Sequence, residues 1–306
     1  MRKMNGVIIH EVGLRDGLQA EKIVVPKEEK IKWINTLMEA GVKIIQVGSF
    51  VHPIKVPQMA DTDELFSYFA EAGNKPESVT LSGLILNERG MERALKCGVE
   101  LFCVGISASE THSQKNTGMS RAEATNRIIA VVKEIQGTGK KVQASVQSAF
   151  GCGFEGPVAE DSVLRIIDKY LEIGVKNISL ADTAGHAHPY QVEALFAKIL
   201  ERDNTVRLAC HFHNTYGLGL ANCFAAMRAG VIYLESAFGG LGGCPFTKLP
   251  SGNVSTEDLV HSLQRSELCM DLNLDKLIAL AKQVGEFLGC ELPGFVLKSG
   301  SIVKSR

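Results

Sequence analysis

With 306 residues and 45% hydrophobic content, the chain can bury one barrel-sized domain or two medium ones, and it is too apolar for a disordered protein. Lys and Arg total 33 against 34 Asp and Glu, and the formal net charge of -1 excludes a global field that would gather nucleic acid or an anionic membrane. No uninterrupted apolar run approaches the roughly 18 residues of a spanning helix, and Glu11 breaks the first apolar run before a signal-peptide core forms.

The reading is therefore a cytoplasmic protein with neither nucleic-acid nor membrane partners. Eight cysteines are scattered without a CxxC pair, which argues against a zinc ribbon and against a secreted disulfide framework; most are expected to be small core residues.

In chain order, the first β-branched run is VIIHEV from Val7, followed by EEKIKWINTLMEAG, whose apolar residues recur every three to four positions as in a helix. Further strand-like runs are KIIQVGSF from Lys43, VTLSGLIL from Val79 and LFCVGIS from Leu101. The helical pattern AEATNRIIAVVKEIQ then precedes KVQASVQSAF from Lys141, and DSVLRIIDKYLEIG precedes NISLADT from Asn177. RLACHFHN from Arg207 and IYLESAFGG from Ile232 complete eight runs. Gly41, Gly174 and Gly230 follow the last periodic residue of helical segments, where a left-handed cap is expected.

Regular alternation predicts an α/β fold with a parallel sheet, and eight units in about 260 residues fit a closed (β/α)8 TIM barrel better than an open doubly wound sheet. The first strand is not followed by GxGxxG, which weakens a Rossmann-like alternative. LNLDKLIALAKQVGEFLG from Leu272 predicts one more amphipathic helix, either capping the barrel or meeting a neighbouring subunit. No composition break divides the chain, so residues 1–306 read as one catalytic domain, with the barrel over about 5–268 and a C-terminal helical extension over about 270–306.

In such a barrel the chemistry sits at the C-terminal ends of the strands. His211 and His213 flank Phe212, so on a strand both imidazoles share one face, either as a metal pair or as hydrogen-bonded polar groups. Asp16, just beyond the first strand, offers a carboxylate to the same point, although alone it would read as a turn or cap residue. Asn253 can add an amide oxygen. Two nitrogens, two oxygens and open positions suit Mg2+ or Mn2+ better than Zn2+. Arg15 reads either as a stabiliser of a developing enolate or thioester oxyanion, or as half of an ion pair with Asp16. The run from Gly239 to Pro245 reads as a closing loop with Cys244 as a general acid or base, or as a tight turn with an incidental thiol.

EVGLRDGLQ (11–19), SFVHPIKVPQMAD (49–61), SASETHSQKN (107–116), HFHNTYG (211–217), GGLGGCPF (239–246) and SGNVSTEDL (251–259) together resemble the 3-hydroxy-3-methylglutaryl-CoA lyase family over about residues 5–270. The cysteine loop and the SASET segment are particular to the lyase branch, whereas the RD and HxH elements are shared with isopropylmalate and homocitrate synthases. The resemblance implies retro-Claisen cleavage of an acyl-CoA substrate to acetyl-CoA and acetoacetate. It implies Asp16, His211, His213 and Asn253 as metal ligands, Arg15 as the group steadying the enolate, and Cys244 as the group helping to protonate it. Asp16 or His213 would accept the hydroxyl proton. Gln19, Gln46, Asp182, Thr183 and Glu257 would bind substrate or orient the ligands, with Glu257 alternatively capping a helix begun by Ser255 or Thr256.

The chain departs from the family pattern at three places. Gln46 stands where the family carries an acid, which points to a related substrate such as citramalyl-CoA or a longer 3-hydroxy-3-alkylglutaryl-CoA as the alternative. Asn214 replaces an Asp after HxH. His186 and His188 in GHAHP are read as solvent-facing or helix-capping groups rather than substrate contacts. A Claisen-type synthase is the competing enzyme, disfavoured because such relatives commonly add a C-terminal regulatory domain for which the residues after 270 leave no room. Pairing through outer helices makes a homodimer or larger homo-oligomer an expectation.

Overall fold

The computed structural model describes residues 6–243 and 252–302. Each of the eight runs forms a strand: β1 (Ile8–Glu11), β2 (Ile44–Ser49), β3 (Thr80–Leu84), β4 (Leu101–Ser107), β5 (Lys141–Gln147), β6 (Asn177–Asp182), β7 (Arg207–Phe212) and β8 (Tyr233–Ser236). They pair in parallel and in sequence order, and β8 returns to β1 with Ile8 opposite Tyr233 and Glu11 opposite Ser236, closing a (β/α)8 barrel.

The helices among the described residues are α1 (Lys27–Glu39), α2 (Thr62–Ala70), α3 (Glu88–Lys96), α4 (Glu110–Thr117), α5 (Arg121–Gly137), α6 (Glu160–Glu172), α7 (Pro189–Arg202), α8 (Gly219–Arg228), α9 (Thr256–Arg265), α10 (Leu274–Leu288) and α11 (Val296–Ser299). Gly41, Gly174 and Gly230 have φ of 93°, 76° and 99°, so the expected left-handed caps form. A capping box of Ser120 and Glu123 opens α5. No helix among the described residues is long and apolar enough to cross a membrane.

The two-residue period of the strands divides their side chains between barrel interior and helical layer. On β5, Gln143, Ser145 and Gln147 line an internal cavity, while the intervening Ala144 and Val146 are buried in the hydrophobic layer. The same alternation directs His211 inward and Phe212 outward into the core. Burial on both faces is what a parallel sheet wrapped by helices requires.

The helix expected from Leu272 onward is α10, and it packs on its own barrel, against α1, α9 and the short turn Phe238–Gly240. Trp33 of α1 is fully buried, edge-on to Phe238 at 6.1 Å and to Phe287 of α10 at 5.6 Å. This aromatic stack anchors the start of the glycine-rich segment to the outer helices, and truncating Trp33 to Ala would cost about 3–5 kcal/mol. Asp258 accepts the backbone N–H groups of Phe295 and Val296, fastening α11 to α9. The seven cysteines among the described residues are all free, five of them buried.

Candidate active site

The site begins where β1 ends. Glu11 is fully buried, and its Oε1 accepts the backbone N–H groups of Gly13 at 2.7 Å and Phe238 at 3.0 Å, while Oε2 accepts the Thr256 hydroxyl at 2.5 Å. Burial pushes this carboxyl up to about 8 despite those bonds. A Cβ at Gly13 would lie 2.7 Å from both Glu11 Oε1 and the Phe238 ring, so only glycine lets the chain pass. It then makes one wide turn, Gly13–Gly17, in which the amides of Arg15, Asp16 and Gly17 all return to the Val12 carbonyl at 3.1, 2.8 and 3.4 Å. Such π-turns recur at functional sites. Here the turn delivers Arg15 and Asp16 to the cavity wall.

Opposite them stand His211 at the end of β7 and His213 just beyond it, with ring centres 5.1 Å apart. Their Nε2 atoms lie 3.8 and 3.7 Å from Asp16 Oδ2. One donor atom from each of Asp16, His211 and His213 falls within 4.8 Å of the others, which makes this trio a group able to hold a metal ion. Both histidines are nearly buried, at 6% and 5% exposure.

Asn253, in the segment after β8, is not among the cavity-lining residues and backs Asp16 and His213 from behind. Its backbone bridges that of His213, and its Nδ2 donates to Asp16 Oδ2 at 2.8 Å and to the Leu241 carbonyl at 2.9 Å. Its Oδ1 is buried without a hydrogen-bond partner among the described residues. Gly242 makes this approach feasible, since at φ 102° a Cβ there would sit 2.5 Å from Asn253 Nδ2.

Arg15 donates from Nε to Gln46 Oε1 and from Nη1 to Asp16 Oδ1, so both ends of the guanidinium are tethered. Burial works to raise the Asp16 carboxyl, but the charges of Arg15, His211 and His213 and the Asn253 amide outweigh it and hold the group well below the usual carboxylate range.

The cavity these residues border has a volume of about 650 Å³, and Gln19, Gln46 and Thr183 also line it, as the sequence suggests. Asp182 and Glu257 are not among its lining residues. Asp182 accepts the backbone N–H groups of His186 at 2.8 Å and Ala187 at 3.0 Å, shaping the loop after β6, and burial lifts its carboxyl to about 6. Glu257 accepts the Gly239 N–H at 2.9 Å, and the cap of α9 is Ser255, so Glu257 holds the root of the glycine-rich segment. Cys244 lies outside the described residues. His188 caps α7, and Asn214 accepts the N–H of Gly219 at the start of α8, so both close loops locally. His186 stacks at 5.8 Å on the exposed Tyr216.

Sequence reasoning missed Glu235. It is 6% exposed on β8 and lines the cavity, with Oε2 at 3.0 Å from His211 Nδ1. Its Oε1 accepts from Gln143 Nε2 at 2.6 Å and Ser179 Oγ at 3.2 Å. The available signal was a carboxylate next to Leu234 on a strand buried throughout, where charge is tolerated only with partners.

A closed parallel barrel with charged and imidazole groups gathered at the C-terminal ends of its strands is the architecture of a (β/α)8 enzyme. The HMGL-like family model matches residues 6–284, and the chain belongs to that family. It is 38% identical to the hydroxymethylglutaryl-CoA lyase YngG of Bacillus subtilis, over 94% of this chain and 95% of that one. It is 36% identical to the (R)-citramalyl-CoA lyase of Chloroflexus aurantiacus, over 98% and 96% of the two chains. Among solved structures, an HMG-CoA lyase from Acinetobacter baumannii, in complex with coenzyme A and 3-methylmalate, superposes with a TM-score of 0.91 at 35% identity, covering 100% of this chain and 99% of that one.

Proposed function

We propose that the protein is a divalent-metal-dependent carbon–carbon lyase that cleaves 3-hydroxy-3-methylglutaryl-CoA to acetyl-CoA and acetoacetate, with barrel and C-terminal helices as one catalytic unit. The observation that carries this reading is the convergence of Asp16, His211 and His213 within 4.8 Å beside Arg15, in a chain 38% identical to a hydroxymethylglutaryl-CoA lyase.

The donor set fits a hard divalent cation: two imidazoles, one carboxylate, no thiolate, and a buried amide oxygen on Asn253 that is otherwise unpaired among the described residues. Mg2+ or Mn2+ would be held by Asp16, His211, His213 and Asn253. When bound, the ion supplies positive charge that stabilises charge developing on the substrate's oxygen atoms.

The chain's own groups do the remaining work. The 3-hydroxyl proton leaves to the Asp16 carboxylate or to His213, the C2–C3 bond breaks, and its electron pair passes to the thioester enolate. Arg15, tethered by Gln46 and Asp16, presents a fixed cation to that enolate oxygen. The Cys244 thiol gives C2 its proton, and the glycine-rich segment, of which Gly242 and Gly243 border the cavity, keeps water from the carbanion equivalent. Gln19 and Thr183 contact the acyl group. The free thiols suit a reducing compartment, and we place the protein in the cytoplasm.

A second substrate, citramalyl-CoA, is favoured by the 36% identical (R)-citramalyl-CoA lyase and by the neutral Gln46 beside Arg15. Acetyl-CoA release from each thioester, with Mg2+, Mn2+ or EDTA, tests both. Metal-dependent release from the methylglutaryl substrate, lost in His211→Ala and Cys244→Ala, supports the first reading. Release from citramalyl-CoA alone transfers the same chemistry to that substrate. No release from either, with no metal retained by the protein, rejects the lyase.

A further inference from the structure

The strand register sets His211 of β7 beside Glu235 of β8, and both side chains project into the barrel. Glu235 has little freedom to turn. Gln143 and Ser179 both donate to its Oε1, which leaves Oε2 to face His211 Nδ1 at 3.0 Å. A carboxylate only accepts hydrogen bonds, so the ring nitrogen facing it must carry the proton. The other nitrogen, Nε2, is the one 3.8 Å from Asp16 Oδ2, and in the neutral ring it keeps its lone pair.

We propose that Glu235 is a positioning residue: it fixes the Nδ1–H tautomer of His211 and so presents the Nε2 lone pair to a divalent cation shared with Asp16 and His213. This rests on the reading of that trio as a metal site, and it assigns Glu235 a role that neither the sequence motifs nor the trio itself includes. A neutral amide is a poorer partner than the carboxylate, because only one of its two arms accepts. If the carbonyl of a glutamine faced His211, its NH2 would meet Gln143 and Ser179, and both would have to turn from donating to accepting. If it served those donors, its NH2 would face Nδ1, draw the ring into the Nε2–H tautomer and remove the lone pair.

The test uses the metal-free protein at a pH high enough that the His211 ring is neutral. Two-dimensional 15N–1H correlation of the imidazole nitrogens, with the His211 signals identified by their loss in His211→Gln, reads the tautomer directly. The proposal expects a protonated Nδ1 and a pyridine-type Nε2 in the wild type, the reverse in Glu235→Gln, and a Mn2+ dissociation constant raised about 10–100-fold in that variant by calorimetry. An Nε2–H tautomer in the wild type overturns it, even if Glu235→Gln fails to fold. An unchanged tautomer or Mn2+ affinity in a folded Glu235→Gln protein also overturns it. Neither readout requires a substrate, so a failed lyase assay would leave this result standing.

Discussion

Asn253 gives its amide nitrogen to Asp16 Oδ2 at 2.8 Å and keeps its own amide oxygen buried and unpaired among the described residues. An unsatisfied buried acceptor costs about 1–3 kcal/mol, which a coordinated cation would offset. Replacing Asn253 with Ala should therefore weaken Mn2+ binding about 10-fold or more while changing metal-free stability by no more than about 1 kcal/mol. Calorimetric titration beside thermal melts of the metal-free protein checks this, and equal Mn2+ affinity in both proteins would remove Asn253 from the ligand set.

Metal should stabilise the fold through these residues. At a free Mn2+ concentration 100 times its dissociation constant, wild type should gain about 2.7 kcal/mol by mass action. EDTA should reverse the gain, and His213→Ala should show none of it. Scanning calorimetry with and without chelator measures the difference.

Gly242→Ala places a methyl group 2.5 Å from Asn253 Nδ2, at a φ of 102° that L-residues resist. Destabilisation of about 1–3 kcal/mol is expected together with weakened metal binding, because the clash falls on a wall of the site and not on the barrel. Denaturant unfolding paired with Mn2+ titration reads both. Loss of stability with unaltered affinity would show that Asn253 keeps its place.

The Glu257 carboxyl is raised by burial from an ordinary 4.5 to about 7. A carboxyl raised in the folded state favours folding fully below pH 4.5, and that advantage is lost as pH climbs through about 7. Wild-type stability should fall across pH 5 to 8, with up to about 3 kcal/mol of the fall due to this one group. In Glu257→Gln the fall should be shallower, although Glu11, raised to about 8, continues to contribute in the same direction. Urea midpoints at pH 5, 6.5 and 8 test it, and equal slopes in variant and wild type would contradict it.

The barrel was legible because each strand is a compact, largely apolar run and helices such as α1, α6 and α8 carry an apolar stripe that ends at a glycine. The polar helix α4, capped by Ser109, carries no such stripe, and in the nine-residue α2 and α3 the stripe is only Leu65, Phe66 and Phe69 or Met91 and Ala94, too short to stand out from the sequence. At the site, the inward pair His211 and His213 followed from strand period alone, and Asp16 from its place after β1. Glu235 did not, because its partner is 24 residues away and becomes a neighbour only through the β7–β8 register. Glu11 is more remote still, with partners 227 and 245 residues along the chain. Asp182 and His188 resemble ligands in composition, yet local hydrogen bonds occupy both, which no spacing rule reveals.

The closure of β1 on β8 has a consequence for the newborn chain. Asp16 leaves the ribosome about two hundred residues ahead of His211, His213 and Asn253, and the strand that seals the ring lies between the histidines and the asparagine. No half-barrel made during synthesis owns a complete set of ligands. If Asp16, His211, His213 and Asn253 hold the ion as proposed, its capture awaits the emergence of Asn253, and a chain interrupted before β7 lacks both imidazoles.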